Sequence, residues 1–313
     1  WPYRLERLPG PLGHKLGEEF RRFAKPELDP DLVHTAGILE WLERIAARAG
    51  LLGLAGWLDR AGNRRFVDTL APAIRSDKPF ALWGYNSSSL TSFALARELG
   101  RSCILDRTIG DFRAYNRDMA MLQDRYADWF TARERVMPAL TIACEAREHA
   151  LANRIVVGCE FAARTVREFA ETPEIAGKVE VLEYCYDEQL FSQLPPPGIV
   201  GGKRPVRFLF LGLAIPRKGF HHVLEAIAAL PESDAKLTVV GRLGVPERVL
   251  SRYADRIDYL PTVARGEVPG IMAAHDVLLF PSYFEGAGIV LYEALAAGLA
   301  LIQSDRAAVA VTP

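Results

Sequence analysis

From Val206 onward the chain alternates short apolar runs with helical stretches, and this alternation restricts the fold more than any other feature. VRFLFLG, KLTVVG, IDYL, VLLF and ALIQS read as strands. Gly219 to Leu230, Glu247 to Tyr253, Val268 to Ala274 and Ile289 to Ala297 read as the helices between them. The strand runs are continuously apolar, as in a parallel sheet covered by helices on both faces. The same alternation starts at Pro79, with FALWGY, SCILD, RIVVGC and VEVLEY as strands. Its helices are expected over Thr91 to Leu99, Glu160 to about Glu171, and within roughly Asp118 to Asn153, interrupted by Pro138. TIGDFRAYN reads as a loop. Leu194 to Gly202, LPPPGIVGG, holds three prolines and three glycines and reads as an exposed linker. A chain of 313 residues suits two domains. The expectation is α/β: two Rossmann-like, doubly wound domains over residues 1–195 and 205–313, joined by a linker at 196–204 and facing a cleft. Ligands of such sheets bind at the carboxyl ends of the strands.

Before Pro79 the pattern is helical without clear strands. HTAGILEWLERIAA is one amphipathic run. LLGLAGWLD, followed by Arg60, Arg64 and Arg65, is either a core helix with a charged end or a face for a membrane surface or an acceptor groove. Both ends look incomplete. The first domain shows no opening strand with a Gly-rich loop, and the second stops directly after a strand, where a parallel sheet would continue.

The totals exclude several classes. Half of the residues are apolar and the net charge is −1, so a soluble globular protein is expected, without the basic field of a nucleic-acid binder. No apolar run is long enough to span a bilayer, and WPYRLERLPG lacks signal-peptide organisation. Cys103, Cys144, Cys159 and Cys185 are scattered, which favours buried thiols in a reduced cytoplasm over disulfides. No metal site is expected. Asp29-Pro30-Asp31 lies in a polar turn, and adjacent His221 and His222 point about 100° apart on a helix. His149 and His275 read as packing or surface residues. Neither GxSxG nor GxxxxGK[ST] occurs.

Two stretches carry candidate chemistry. In FPSYFEGAGIVLYEALAAG, residues 280–298, a strand runs into Glu285, the small-residue loop Gly286-Ala287-Gly288 and a helix near Ile289, with Glu293 inside that helix. Small residues let the backbone approach a ligand, and free N–H groups at a helix start favour an anion. Carboxylates on either side suit hydroxyl groups rather than the anion itself. The layout fits a sugar, a diphosphate and a ribose in line, or a buried strand–helix turn with two solvated glutamates. In FLGLAIPRKGF, Arg217 and Lys218 stand at a helix start, where cations oppose the helix dipole. That conflict vanishes if both face an anion; otherwise they are solvated surface cations.

Together these stretches resemble the retaining family 4 glycosyltransferases of GT-B fold. Glu285 and Glu293 match the family's E-x7-E pair, and Arg217-Lys218-Gly219 its basic pair. ANRIVVGCEFAARTVREF and VEVLEYCYDEQLF resemble segments of its first domain. The resemblance implies a cytoplasmic, metal-independent hexosyltransferase, with room for peripheral contact at the inner face of the membrane. Its co-substrate is a UDP- or GDP-sugar, and its acceptor a sugar, lipid-linked or small-molecule hydroxyl. Residues 1–195 become the acceptor side and 205–313 a truncated nucleotide-sugar domain. By position, Glu285 binds the donor sugar, the amides of Gly286, Ala287, Gly288 and Ile289 contact sugar and phosphates, and Glu293 takes the ribose hydroxyls. Arg217 and Lys218 neutralise the diphosphate, Gly212 ends the preceding strand, and Val263 faces the nucleobase. Asp106 and Asp111 are the acceptor-side catalytic candidates, or ordinary loop carboxylates. Ala287, Cys159, Cys185 and Leu213 depart from the usual family residues, and the absent Gly-rich loop bears on activity. The competing readings are a GT-B sugar-nucleotide epimerase, a phosphorylase, or a non-catalytic sugar-nucleotide binder.

Overall fold

The computed structural model describes residues 38–132, 136–195, 204–261 and 263–308. Asp29-Pro30-Asp31, the chain's last residues and the expected linker apart from Arg204 lie outside them. By contacts the chain divides into two compact units, one of residues up to Leu82 with Thr91–Arg101, the other of Trp83–Leu90 with Ser102–Pro313.

In the first unit, α1 (Ile38–Arg48) and α2 (Leu52–Ile74) pack through Leu39, Ala46, Ala47, Ala55 and Leu58. The apolar run at Leu51 is therefore the start of one long helix. Leu52, Leu54 and Trp57 remain exposed on it, as do Arg60, Arg64 and Arg65 further along. Ile38, Leu42 and Ile45 of α1 are also exposed, at i, i+4 and i+7, so they share one stripe.

The second unit holds most of a four-stranded sheet of order β1-β2-β3-β4. Its strands are β1 (Ala81–Tyr85), β2 (Ser102–Arg107), β3 (Arg154–Val157) and β4 (Val179–Val181). α3 (Leu90–Glu98) follows β1; α4 (Phe112–Arg125) and α5 (Ala139–Leu151) follow β2. α6 (Glu160–Glu168) and α7 (Pro173–Gly177) follow β3, and α8 (Glu188–Phe191) follows β4. Strand order rises with sequence, so the described strands of this sheet wind in one direction only. α4 begins at Phe112, earlier than the periodicity predicts, because Asp111 caps it: its Oδ1 accepts from the Arg113 N–H at 2.8 Å. The expected loop TIGDFRAYN thus contains the first helical turn.

The second sheet has the order β7-β6-β5-β8-β9, and its pairings are parallel. It comprises β5 (Val206–Leu211), β6 (Ala235–Val240), β7 (Ile257–Leu260), β8 (Val277–Phe280) and β9 (Ala300–Gln303). α9 (Phe220–Ala228), α10 (Glu247–Leu250), α11 (Val268–Ala273) and α12 (Ile289–Ala296) are its helices. The chain runs outward from β5 to β7 and returns to β8 beside β5. Strand order reverses there, and the loops after both strands open a crevice at their carboxyl ends. Phe220, Val223, Leu224 and Ile227 put a helical stripe of α9 into the core with Phe210, Leu237 and Leu279. Each such side chain stabilises the unit by about 1.5–3 kcal/mol. Trp129, from the turn after α4, enters the same core and ties the helices of the first sheet to the second.

Candidate functional site

The loops after β5 and β8 meet at the reversal point. The loop after β5 turns through Pro216–Lys218 into Gly219, which precedes α9 with φ +69°. A Cβ there would stand 2.0 Å from the Pro281 carbonyl oxygen, so only glycine lets the two loops approach this closely. The backbones then bond: the Tyr283 N–H donates to Arg217 O at 2.8 Å. Arg217 Nη1 donates to Phe284 O at 2.6 Å and lies 3.2 Å from Glu285 Oε1, and Lys218 Nζ pairs with the same oxygen. Lys218 also lies 5.2 Å from the Phe280 ring centroid. The three charged side chains are 20%, 19% and 10% exposed, so this triad, one positive charge in excess, sits in a largely dry crevice. Burial pulls the Lys218 ammonium below its ordinary range, with Glu285 opposing.

Beyond Glu285 the chain enters α12. Gly288 precedes it, and no side chain caps that end, nor the start of α9. Gly286, Ala287 and Gly288 thus lead into a helix start at Ile289 whose N–H groups have no side-chain cap. Gly212 follows β5 directly, its N–H bonded to Val240 O at 2.8 Å. Glu293 lies one turn into α12, about 6 Å along its axis from Ile289. It is buried, and Arg265, from the turn after β7, pairs with its Oε1. Val263 lies in that same turn, half-buried.

The β8–α12 loop is also clamped by the first sheet's elements. Phe284 is fully buried against Tyr115 of α4 and Phe161 of α6, both edge-on, at ring centroid distances of 5.3 and 5.2 Å. A Cβ on Gly286 would stand 1.8 Å from Thr108 O. The Cys159 thiol donates to Gly286 O at 3.0 Å, a further tie between the first sheet's elements and this loop. Ala287 packs against Gly158, whose Cβ position would also touch the Tyr184 ring.

The two acceptor-side candidates differ in kind. Asp111 is fully buried, and Arg113 donates to both its oxygens. Burial pushes its carboxyl up, but those bonds, with Arg107 nearby, outweigh this and hold it below the usual range. Its contacts are those of a helix cap. Asp106, next to last in β2, is half-buried and accepts from the Trp83 indole N–H at 3.1 Å. Two features escaped the sequence. Arg107 is buried with Glu145 and donates to Gly110 O at 2.6 Å, shaping the loop that meets Phe284. Glu148, also buried, accepts from the N–H groups of Ser87 and Ser89 at 2.8 Å and Leu90 at 3.1 Å, filling the turn between β1 and α3. His149 packs beside Arg107, with burial lowering its pKa to about 3. His275 bonds Ile271 O and Thr238, as packing residues do.

Comparison with known proteins gives this geometry a context. Residues 201–312 match the family described as Glycosyl transferases group 1. The lipopolysaccharide glucosyltransferase WaaG of Escherichia coli K12 is 38% identical over 99 residues, 30% of this chain and 26% of WaaG. The MMP alpha-(1->4)-mannosyltransferase of Mycolicibacterium hassiacum is 27% identical over 161 residues, 49% of this chain and 37% of that enzyme. The chain thus spans well under half the length of these curated relatives. Among solved structures, Anabaena HepE, crystallised in complex with UDP, superposes with a TM-score of 0.54 at 14% identity, over 79% of this chain and 64% of HepE. At that identity the likeness speaks for the fold, which is the two-sheet α/β architecture of GT-B proteins.

Proposed function

We propose that the chain belongs to a retaining hexosyltransferase that uses a UDP- or GDP-sugar and needs no metal ion. The observation that carries this reading is the convergence of Arg217, Lys218 and Glu285 beside the uncapped start of α12. The similarity to sugar transferases over residues 201–312 supports it. In the free protein the Glu285 carboxylate occupies the cations. A donor diphosphate takes its place on Arg217 and Lys218, and Glu285 turns to the sugar hydroxyls. Glu293 accepts from the ribose, and the Gly286–Ile289 backbone adjoins the phosphates. When the bond from the anomeric carbon to the diphosphate breaks, its electron pair goes to the diphosphate oxygen, where the two cations stabilise the new charge. The acceptor oxygen bonds to the anomeric carbon on the same face, and its proton passes to the leaving phosphate. Configuration is retained without a carboxylate nucleophile. Asp106, on the opposite rim, is the carboxylate available to an acceptor.

We also place the protein in the cytoplasm, following its scattered free thiols. The exposed apolar stripe of α1 and the Leu52, Leu54, Trp57 and arginine face of α2 support peripheral contact with an anionic membrane surface.

Calorimetry on the full chain with chelator present tests the donor site. UDP or GDP should bind, and Lys218→Ala should weaken binding by about 2 kcal/mol, roughly 30-fold, the size of a charge-assisted hydrogen bond. Equal affinity in the variant would sink the phosphate assignment. Donor turnover that disappears with chelator would sink the metal-free mechanism.

A further inference from the structure

The turn after β7 carries a side chain whose contacts exceed what a packing role needs. Arg265 pairs through one terminal nitrogen with Glu293 Oε1. The partnership is lopsided: Glu293 is 5% exposed and Arg265 54%. One arm of the guanidinium is fixed inside the crevice, and more than half of the side chain faces outward. Its turn is ordered from within, since the Ala264 N–H donates to Glu267 Oε2 at 2.7 Å. Asp187, the N-cap of α8, adds a second negative field at the guanidinium. Arg265 thus stands between a carboxylate of the second sheet's helix and one that follows β4.

Its place along a bound donor follows from the order of groups in a nucleoside diphosphate, and this step rests on the function proposed above. The diphosphate takes Arg217, Lys218 and the start of α12, and the ribose takes Glu293, about 6 Å further along that helix. The group beyond the ribose is the base, and the side chain bonded to Glu293 on its exposed side is Arg265. A guanidinium has five N–H donors in a rigid fork and accepts nothing. With one arm on Glu293, the remaining donors can be read only by an acceptor. Uracil and guanine present carbonyl oxygens at O4 and O6, where adenine presents an amino donor that opposes a guanidinium and accepts only at its ring nitrogens.

We propose that Arg265 is the specificity-determining residue of the donor site, donating to a carbonyl of the nucleobase and so favouring uracil or guanine nucleotides over adenine ones. Glu293 holds both the ribose and the residue that reads the base.

The test is calorimetric titration of the full chain with UDP, GDP, ADP and inorganic diphosphate, in the wild type and in Arg265→Ala. The wild type should bind UDP or GDP at least about tenfold more tightly than ADP, the discrimination that one guanidinium–base contact provides. In Arg265→Ala the preferred nucleotide should weaken about tenfold, while ADP and inorganic diphosphate stay within about twofold, so the preference collapses. A purely structural role would lower all four affinities together, and that result, or an unchanged preference, overturns the proposal. Arg265→Lys keeps a cation on Glu293 without the fork; it should lose the same preference and serves if the alanine variant does not fold. Wild-type protein that binds none of the nucleotides overturns the donor-site reading itself, and this inference with it.

Discussion

Replacing Glu285 with glutamine should tighten nucleotide binding while abolishing transfer. In the free protein the carboxylate pairs with Lys218 and lies 3.2 Å from Arg217, so under the proposed function it stands where the phosphate charge goes. A bound diphosphate must displace it and then lie near it. Two unit charges about 5 Å apart at an effective dielectric constant near 20 repel by about 3 kcal/mol. The crevice relaxes, and Glu285 gains sugar hydroxyls only when a sugar is present. A net gain of about 1–2 kcal/mol is therefore expected for UDP or inorganic diphosphate in Glu285→Gln, about 5- to 30-fold in Kd. The ligand-free variant should melt at a lower temperature, because two buried cations have lost their counter-charge, and saturating UDP should restore the difference. Titration calorimetry with chelator present, alongside donor turnover, reads both effects. If UDP affinity falls in parallel with turnover, Glu285 orders the loop instead of competing with the phosphate, and the exchange mechanism is wrong.

Gly286→Ala places a methyl group 1.8 Å from the Thr108 carbonyl, so one loop must retreat; turnover should fall at least about tenfold with a lower Tm, and unchanged turnover would refute the close approach. His149 and His221 are buried, and that burial lowers each pKa from 6.5 to about 3. Folded, both stay neutral where the unfolded chain takes up protons, so their contribution is complete above about pH 6.5 and is lost as pH falls toward 3. Melting curves between pH 7 and pH 4 should show this decline, and His221→Leu should flatten it; an identical slope would count against the assignment. The protein should sediment with anionic vesicles but not with zwitterionic ones, and Trp57→Glu should release it without altering UDP affinity; equal sedimentation of the variant removes α2 from the contact.

How much of this was legible in the sequence depended on the range of the interaction. VLLF announced its strand because a strand covered on both faces is apolar throughout, and VRFLFLG and the edge strand IDYL because they are short, mostly apolar runs between helical stretches. The Glu285 and Arg217-Lys218 turns were legible for a related reason: cations at a helix start conflict with the backbone unless something compensates them. The start of α4 was not, because it rests on one side chain, Asp111, reaching the Arg113 N–H, and a cap leaves no periodic trace. The same fact separates Asp106 from Asp111, two carboxylates that look alike until Asp111 is seen to cap α4 with both oxygens held by Arg113. Phe284 looked like any aromatic residue in a loop. Its role depends on Tyr115 and Phe161, more than a hundred residues away in the chain, as the Arg265–Glu293 and Arg107–Glu145 pairs depend on partners that no local pattern names.

Glu148 has a consequence for the division of labour between the two sheets. The turn between β1 and α3 has the form in which parallel α/β sheets receive phosphate, with three backbone N–H groups converging at a helix start. Here the chain plugs that receptacle permanently with its own carboxylate, whereas the turns after β5 and β8 keep helix starts that no side chain caps. The two sheets are thereby unequal in chemistry as well as in strand order. Among the described residues the first sheet's receptor is filled from within, so under the proposed function the diphosphate is left to the turns of the second sheet.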